Sequence, residues 1–224
     1  MDNKSAEDLS LRLGIAVEQI AREEFELAVL KSLCESRIGD SLVFKGGTAL
    51  RLAYGSARFS DDLDFSGVSP IPEEDFRKAC RAAARNVPEA ALVEALAKHY
   101  TLFALLQFHV PYVSRPFSMK IEVSVRDEVW EQGRDHELKL LSSEVTNVTA
   151  LARVATLERM EKDKQKAFEE RRQPRDLYDL WFISQKLGRD FKPDLKDIPP
   201  AAMRRELRKY LPRGQWRLVD EWTA

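Results

Sequence analysis

Two nearby segments decide the fold of this chain: Phe44-Lys45-Gly46-Gly47-Thr48-Ala49-Leu50 and Arg58-Phe59-Ser60-Asp61-Asp62-Leu63-Asp64-Phe65. The apolar run Leu42–Phe44 predicts a short buried strand, and residues 48–54 predict a short helix that ends at Gly55. Two glycines between a strand and a helix let the backbone turn sharply and approach a ligand closely. The N–H groups at the start of such a helix favour a phosphate, although Gly-Gly turns are also common without any ligand.

The second segment carries a pair of aspartates at strand spacing. Asp62 and Asp64 alternate with Leu63 and Phe65, so a strand over residues 58–65 would place both carboxylates on one face and the apolar side chains on the other. Two carboxylates this close repel each other unless a cation lies between them. The pattern therefore indicates either a divalent metal site or an exposed acidic edge.

A third carboxylate is available from a strand predicted farther along the chain. Residues 100–108 and 117–125 are rich in β formers and predict two strands joined by a loop. Glu122 lies in the middle of the second strand, where acids are disfavoured. If Glu122 shares a face with Asp62 and Asp64, three carboxylates would surround a divalent metal, as in two-metal phosphoryl transfer.

The rest of the chain is predicted to be mainly helical. Helices are predicted over residues 6–36, 73–85, 88–97, 151–172, 176–187 and 203–210. The character of the sequence changes near residue 146, which predicts two domains: an α/β half over residues 1–145 and a helical half over residues 146–224. The fold class predicted is α+β, with a mixed or antiparallel sheet flanked by helices.

Composition and charge exclude several classes of protein. The chain has 224 residues, 44% of them hydrophobic, with 36 basic and 37 acidic side chains. Wholesale disorder and a strongly basic DNA-coating protein are thereby excluded. Only two cysteines are present, no apolar segment opens the chain, and the longest uncharged stretch, residues 99–114, is too short to span a membrane. The chain is therefore expected to be soluble and cytoplasmic, without a membrane partner.

The near-zero net charge hides an uneven distribution. Residues 1–150 carry 18 basic and 24 acidic side chains, whereas residues 151–224 carry 18 and 13. Lys164 lies in the predicted basic helix, and Arg175-Asp176-Leu177-Tyr178-Asp179-Leu180 opens the next helix. A basic helix is usually a solvated face, and aspartates in a first turn are often capping residues. The alternative is that these cations face the carboxylates of the first half.

Together these motifs resemble the AbiEii/AbiGii toxin family, which includes the MenT-type toxins, within the polymerase-β-like nucleotidyltransferase superfamily. The resemblance spans residues 42–183 and depends on the order of its motifs, which are residues 44–50, Arg58, Ser60, residues 62–65, Asp163-Lys164, Ala167 and residues 174–180. It implies a polymerase-β-like nucleotidyltransferase domain followed by a helical half that completes the active site.

The resemblance implies the toxin of a toxin–antitoxin or abortive-infection system. Such a protein is similar to enzymes that use Mg²⁺ or Mn²⁺ to transfer nucleotides from an NTP to an acceptor. In MenT-type members the acceptor is the tRNA 3′ end, and translation is blocked. The expected partners are therefore an NTP, tRNA or another RNA acceptor, and a cognate antitoxin.

The resemblance also implies a role for individual residues. The expected catalytic residues are Asp62, Asp64, Glu122, Lys164 and Asp176, of which Asp62, Asp64 and Glu122 would hold the metal. The expected nucleotide-binding residues are Lys45, Gly46, Gly47, Thr48, Arg58, Ser60, Lys164 and Arg175. The third carboxylate varies within the family, and Asp176 is preferred to Asp179 as the key late acid.

Two other functions are compatible with the same motifs. One is a catalytically inactive relative that binds nucleotide or RNA, although an inactive copy would be expected to have lost Asp62 or Asp64, and both are present. The other is a small-molecule nucleotidyltransferase that modifies an antibiotic. The late Arg-Asp-Leu-Tyr-Asp-Leu block argues against that reading.

Overall fold

The structure, a computed structural model, describes residues 1–224 and contains seven strands and eight α-helices. The strands are β1 (Leu42–Lys45), β2 (Leu63–Gly67), β3 (Ala90–Lys98), β4 (Thr101–Phe108), β5 (Phe117–Ser124), β6 (His136–Leu141) and β7 (Ala150–Ala155). The helices are α1 (Asn3–Leu13), α2 (Val17–Cys34), α3 (Gly46–Tyr54), α4 (Glu73–Asn86), α5 (Leu157–Arg171), α6 (Pro174–Lys186), α7 (Pro200–Tyr210) and α8 (Trp216–Trp222).

All seven strands form one sheet in the order β3-β4-β5-β2-β1-β7-β6. The pairs β2–β5 and β1–β7 are parallel, whereas the other four neighbouring pairs are antiparallel. A mixed sheet flanked by helices confirms the predicted α+β class. Its centre is β2, which places the Asp-Leu-Asp segment in the middle of the molecule.

One face of the sheet is packed and the other is partly open. Along β4, Leu102, Ala104 and Leu106 are buried, while Phe103 and Leu105 between them are only half-buried. The buried set belongs to a core cluster of 47 residues, which also includes the apolar faces of α2 and α4. This period-two alternation is expected of a sheet with one buried face.

Several predicted elements are confirmed with shifted ends, and some are wrong. From Ala90 onward, residues 88–97 belong to β3 rather than to a helix, since they pair with β4 up to Lys98 with one irregularity between Leu92 and Glu94. The predicted helix over residues 6–36 is two helices, separated at Gly14, which has a φ of 65°. The predicted helix over residues 151–172 starts only at Leu157, because β7 occupies the residues before it.

The predicted domain boundary at residues 145/146 falls between β6 and β7. The strand β7 lies in the C-terminal half of the sequence but pairs with both β1 and β6 in the sheet. The core cluster likewise contains residues from both sides of the boundary. No helix in the structure is both long and apolar enough to cross a lipid bilayer.

Candidate active site

Sheet register aligns three of the predicted site residues on the partly open face. Lys45 of β1 pairs with Asp64 of β2, and Asp64 pairs with Glu122 of β5. Residues opposite each other on neighbouring strands point to the same face and lie about 5 Å apart. The Asp64 and Glu122 carboxylates are half-buried, and neither takes part in a hydrogen bond or an ion pair. Two free carboxylates, Asp64 and Glu122, therefore lie side by side at the centre of the sheet, and we call them the carboxylate row.

The Gly-Gly turn brings the start of α3 against this row. Gly46 has a φ of 83°, which favours glycine, and a Cβ atom there would clash with the carboxylate of Asp64. A Cβ atom on Gly47 would clash with the guanidinium of Arg58 and lie 2.8 Å from Oγ of Ser60. Both glycines are thus required for close packing, and they leave the N-terminus of α3 beside Asp64.

Asp62 lies just before β2, where Lys120 contacts its side chain and Thr48 contacts its backbone. Its Oδ1 accepts a hydrogen bond from the backbone N–H of Lys120 at 3.0 Å, and its Oδ2 lies 3.7 Å from Nζ of Lys120. The hydroxyl of Thr48 donates to the backbone carbonyl of Asp62 at 2.6 Å. Thr48, expected to bind phosphate through its hydroxyl, therefore fixes the aspartate segment to α3.

A buried cluster of charges connects the aspartate segment to the helical half. Arg58 donates two hydrogen bonds to Asp179, at 2.8 and 2.9 Å, and these side chains are only 3% and 1% exposed. Lys164 lies 2.6 Å from Asp179 and 3.1 Å from Asp176. Arg171 donates two more hydrogen bonds to Asp176. Arg58, expected to bind nucleotide, is buried and anchors the loop before β2 to Asp179.

The charges in this cluster are mutually stabilised. Burial alone would raise the pKa of Asp179, but the nearby charges of Arg58 and Lys164 outweigh it, and the pKa is lowered. The same balance holds for Asp176, whose pKa is lowered by the hydrogen bonds and charges of Arg171 and Lys164 against the effect of burial. Both aspartates belong to the same cluster: Asp179 binds Arg58 and Lys164, whereas Asp176 binds Arg171 and Lys164.

Two other predicted nucleotide-binding residues are paired with acids. Nζ of Lys45 lies 3.2 Å from Asp163 of α5, and both side chains are partly exposed. Nε of Arg175 lies 3.8 Å from Glu206 of α7. Lys45 therefore lies beside the carboxylate row and connects it to α5, whereas the charged group of Arg175 lies near α7.

The electrostatics of Asp64 show what this site would attract. The pKa of Asp64 is raised, because burial disfavours its charge and because Asp62 and Glu122 repel it; Lys164 and Lys45 act in the opposite direction. Three mutually repelling carboxylates are hard oxygen donors of the kind that Mg²⁺ and Mn²⁺ prefer. The residues present fit such an ion by chemistry, although no three acidic, histidine or cysteine side chains are arranged as a formed metal site.

Sequence reasoning missed two residues next to the site. Arg171 lies two helical turns after Lys164, a spacing that puts both on one face of α5 and could have identified it. Asp61 accepts a hydrogen bond from Tyr210 and lies 3.5 Å from Nε of Arg22. No local signal reveals Asp61, since its partners lie on α2 and α7, far away in the sequence.

The large cavities of the molecule lie elsewhere. The largest, about 590 Å³, is lined by Met1, Phe25, Glu89 and Tyr112 among others, and none of the larger cavities includes Asp62, Asp64 or Glu122. The carboxylate row therefore lies outside these cavities, on the partly open face of the sheet.

Solved structures share this architecture. MenT4, a nucleotidyltransferase toxin from Mycobacterium tuberculosis H37Rv, superposes with a TM-score of 0.64 at 19% identity, covering 92% of this chain and 68% of that one. JHP933 from Helicobacter pylori superposes with a TM-score of 0.57 at 24% identity, covering 76% and 68%. A second Helicobacter pylori protein, described as a candidate nucleotidyltransferase, gives 0.57 at 22% identity, covering 92% and 84%. The fold is that of the nucleotidyltransferases.

The family comparison is more specific than the fold. The family described as "Nucleotidyl transferase AbiEii toxin, Type IV TA system" matches residues 28–219, a range that contains every residue of the carboxylate row and of the buried cluster. This chain therefore belongs to the AbiEii family of nucleotidyltransferase toxins, and the resemblance drawn from its motifs is confirmed. No curated protein sequence matches the chain significantly.

Proposed function

We propose that this toxin transfers a nucleotide from an NTP to the 3′ end of an RNA, with tRNA as the expected acceptor, and so blocks translation in the cytoplasm. The observation that supports this reaction is the pair of free carboxylates, Asp64 and Glu122, side by side on an open sheet face beside a helix N-terminus. The AbiEii family of toxin–antitoxin systems supports a nucleotide substrate and an antitoxin partner.

The triphosphate is held on the β1 side of the row. The first N–H groups of α3, at Gly46 and Gly47, have no partner within the helix and bind phosphate oxygens. Lys45 adds a positive charge next to them. Lys164 of the buried cluster lies close enough to lower the pKa of Asp64, and it attracts the same phosphates across the site.

Asp62, Asp64 and Glu122 are the residues that would hold the divalent ion. Asp62 would offer its Oδ2 atom in exchange for its contact with Nζ of Lys120, because its Oδ1 atom accepts the backbone N–H of Lys120. When bound, Mg²⁺ or Mn²⁺ neutralises the triphosphate and the charge that develops on the leaving pyrophosphate. Asp64 and Glu122 contribute two free carboxylates without first breaking an ion pair.

The group-transfer step balances with these residues. The 3′-hydroxyl oxygen of the RNA attacks the α-phosphorus, and a new phosphodiester bond forms while the bond to the bridging oxygen of pyrophosphate breaks. Glu122 accepts the hydroxyl proton as a general base. The helical half, residues 146–224, completes the site, because Lys164 and Asp179 fix Arg58 and with it the loop that carries Asp62.

Label transfer tests this function. The protein is incubated with Mg²⁺, each labelled NTP in turn and total tRNA, and the label in RNA is measured for the wild type, Asp64→Asn and Glu122→Gln. We expect transfer from at least one NTP. Asp64→Asn should lower the transfer rate about 100-fold or more, which is the size of effect seen when one charge-stabilising group is removed from a catalytic site.

Asp8→Asn is the matched control, since Asp8 is an exposed aspartate of α1 far from the row in sequence. It is expected to keep wild-type activity. Transfer that survives Asp64→Asn at the wild-type rate would refute the assigned site. Absence of transfer to any RNA, with transfer to a hydroxylated small molecule, would favour the antibiotic-modifying alternative instead.

A further inference from the structure

The carboxylate row continues across the sheet into apolar side chains. Glu122 of β5 pairs with Phe103 of β4, and Phe103 pairs with Leu96 of β3. These residues share the face of Asp64, and both apolar side chains are partly exposed. A partly exposed aromatic ring therefore lies one strand, about 5 Å, from a predicted catalytic carboxylate.

A second apolar residue widens this surface. Leu105 follows Phe103 on the same face of β4, is half-buried and pairs with Lys120 of β5. The α4 helix packs in the core with Leu102 and Leu106, which are on the opposite face. We define Leu96, Phe103 and Leu105 as the apolar platform.

We propose that the apolar platform stacks the terminal base of the RNA acceptor, with Phe103 as its centre; the proposal rests on the proposed function. Aromatic rings beside a positively charged track are the usual means by which proteins hold single-stranded RNA without reading its sequence. The platform is continuous with the catalytic row, so a base stacked there would leave its 3′-hydroxyl close to Glu122.

In-line displacement assigns the platform to the acceptor rather than to the NTP. Attacking and leaving oxygens lie on opposite sides of the phosphorus in phosphoryl transfer. The phosphate-binding groups, Lys45 and the start of α3, lie on the β1 side of Asp64, whereas Phe103 lies on the β5 side. Pyrophosphate leaves toward the first side, and the acceptor hydroxyl approaches from the second.

Charge around the platform suits the RNA backbone. Nζ of Lys98 lies 3.9 Å from the centre of the Phe103 ring, and Lys98 is exposed. Lys120, on the other side of Leu105, is also exposed. These lysines bracket the ring along the strands, so a stacked base would displace the Lys98 ammonium onto a neighbouring phosphate.

Stacking can be measured directly on the wild type, Phe103→Ala and Phe103→Trp. The probe is a 12-nucleotide single-stranded RNA that ends in 2-aminopurine, whose fluorescence is quenched when it stacks on an aromatic ring. We expect quenching by the wild type and by Phe103→Trp, and binding weakened about 5- to 150-fold in Phe103→Ala. In label transfer, Phe103→Ala is expected to raise KM for RNA by a similar factor and to leave KM for the NTP unchanged.

Leu138→Ala is the matched control, because Leu138 is an exposed apolar residue on the same sheet but on β6. Five strand spacings, about 24 Å, separate β6 from β4. Thermal unfolding checks that each variant folds. No quenching by the wild type, or equal quenching by Phe103→Ala, overturns the platform even if Asp64-dependent transfer is intact. Quenching that depends on Phe103 without any transfer to RNA supports the platform and refutes the proposed reaction.

Discussion

Replacing Asp179 by Asn tests whether the buried charge cluster holds the catalytic loop in place. The change removes the only carboxylate bound to Arg58, whose side chain is 3% exposed, and leaves Lys164 with Asp176 alone. Breaking a buried ion pair by removing one partner costs about 3–5 kcal/mol, because the other charge stays buried without compensation. Since domains unfold with only about 5–15 kcal/mol, the variant should lose a large part of its stability.

Urea unfolding followed by tryptophan fluorescence measures this free energy. Asp194→Asn is the control, because Asp194 forms a similar pair with Arg172 at the surface, where solvent screens the charges, and its replacement should change the stability much less. The double variant Arg58→Met/Asp179→Leu should be more stable than Asp179→Asn, since it leaves no unpaired guanidinium. A decrease in the free energy of unfolding of less than about 1 kcal/mol in Asp179→Asn, or no recovery of stability in the double variant, would show that the buried pair does not stabilise the fold in this way.

Three further predictions follow from the same contacts. Gly47→Ala should destabilise the fold and reduce label transfer, because its Cβ would clash with the Arg58 guanidinium, whereas Gly214→Ala, where a Cβ meets open space, should be neutral in the same urea assay. The pKa of Asp179 is lowered in the folded protein, so the stability that its charge contributes is present above the ordinary carboxyl pKa of about 4 and is lost as the pH falls below that value. Urea midpoints measured from pH 7 down to pH 3 should therefore fall less steeply in Asp179→Asn than in the wild type. Asp61→Ala should release its bonds to Tyr210 and Lys209, so hydrogen exchange should speed up in α7 but not in α4.

Short-range signals predicted much of the local structure around Asp64. Glycines after an apolar run predicted the turn from β1 to α3. The alternation of Asp62 and Asp64 with apolar residues predicted a strand over residues 58–65, but β2 begins only at Leu63, so Asp64 lies in the strand and Asp62 in the loop before it. Glu122 was identified because acids are disfavoured in the centre of a strand. The pairing of β2 with β5 brings it beside Asp64. Each of these signals lies in a short stretch of sequence, whereas the contact between Glu122 and Asp64 depends on the pairing of two strands that are far apart in the chain.

The inferences that failed depend on distant partners. Residues 90–98 contain four alanines, two leucines and a glutamate, which favour a helix locally, but pairing with β4 makes them a strand. The pairing of Arg58 with Asp179 was also not predicted, because Asp179 lies 121 residues further along the chain. Sequence spacing carries no information about such a pair.

The charge distribution explains why the basic half is not simply a phosphate clamp. Its excess of basic residues suggests free cations facing the acidic half, yet Lys164 and Arg171 are bound to Asp176 and Asp179. With Arg58, the cluster has three cations against two carboxylates and so carries a net charge of +1. That single charge lies near Asp64 and opposes the rise in its pKa. The helical half therefore places a weakly positive, internally paired cluster near Asp64. Because Lys45 and Lys120 are themselves paired with Asp163 and Asp62, the amides at the start of α3 are the candidate phosphate-binding groups that have no ion pair to break.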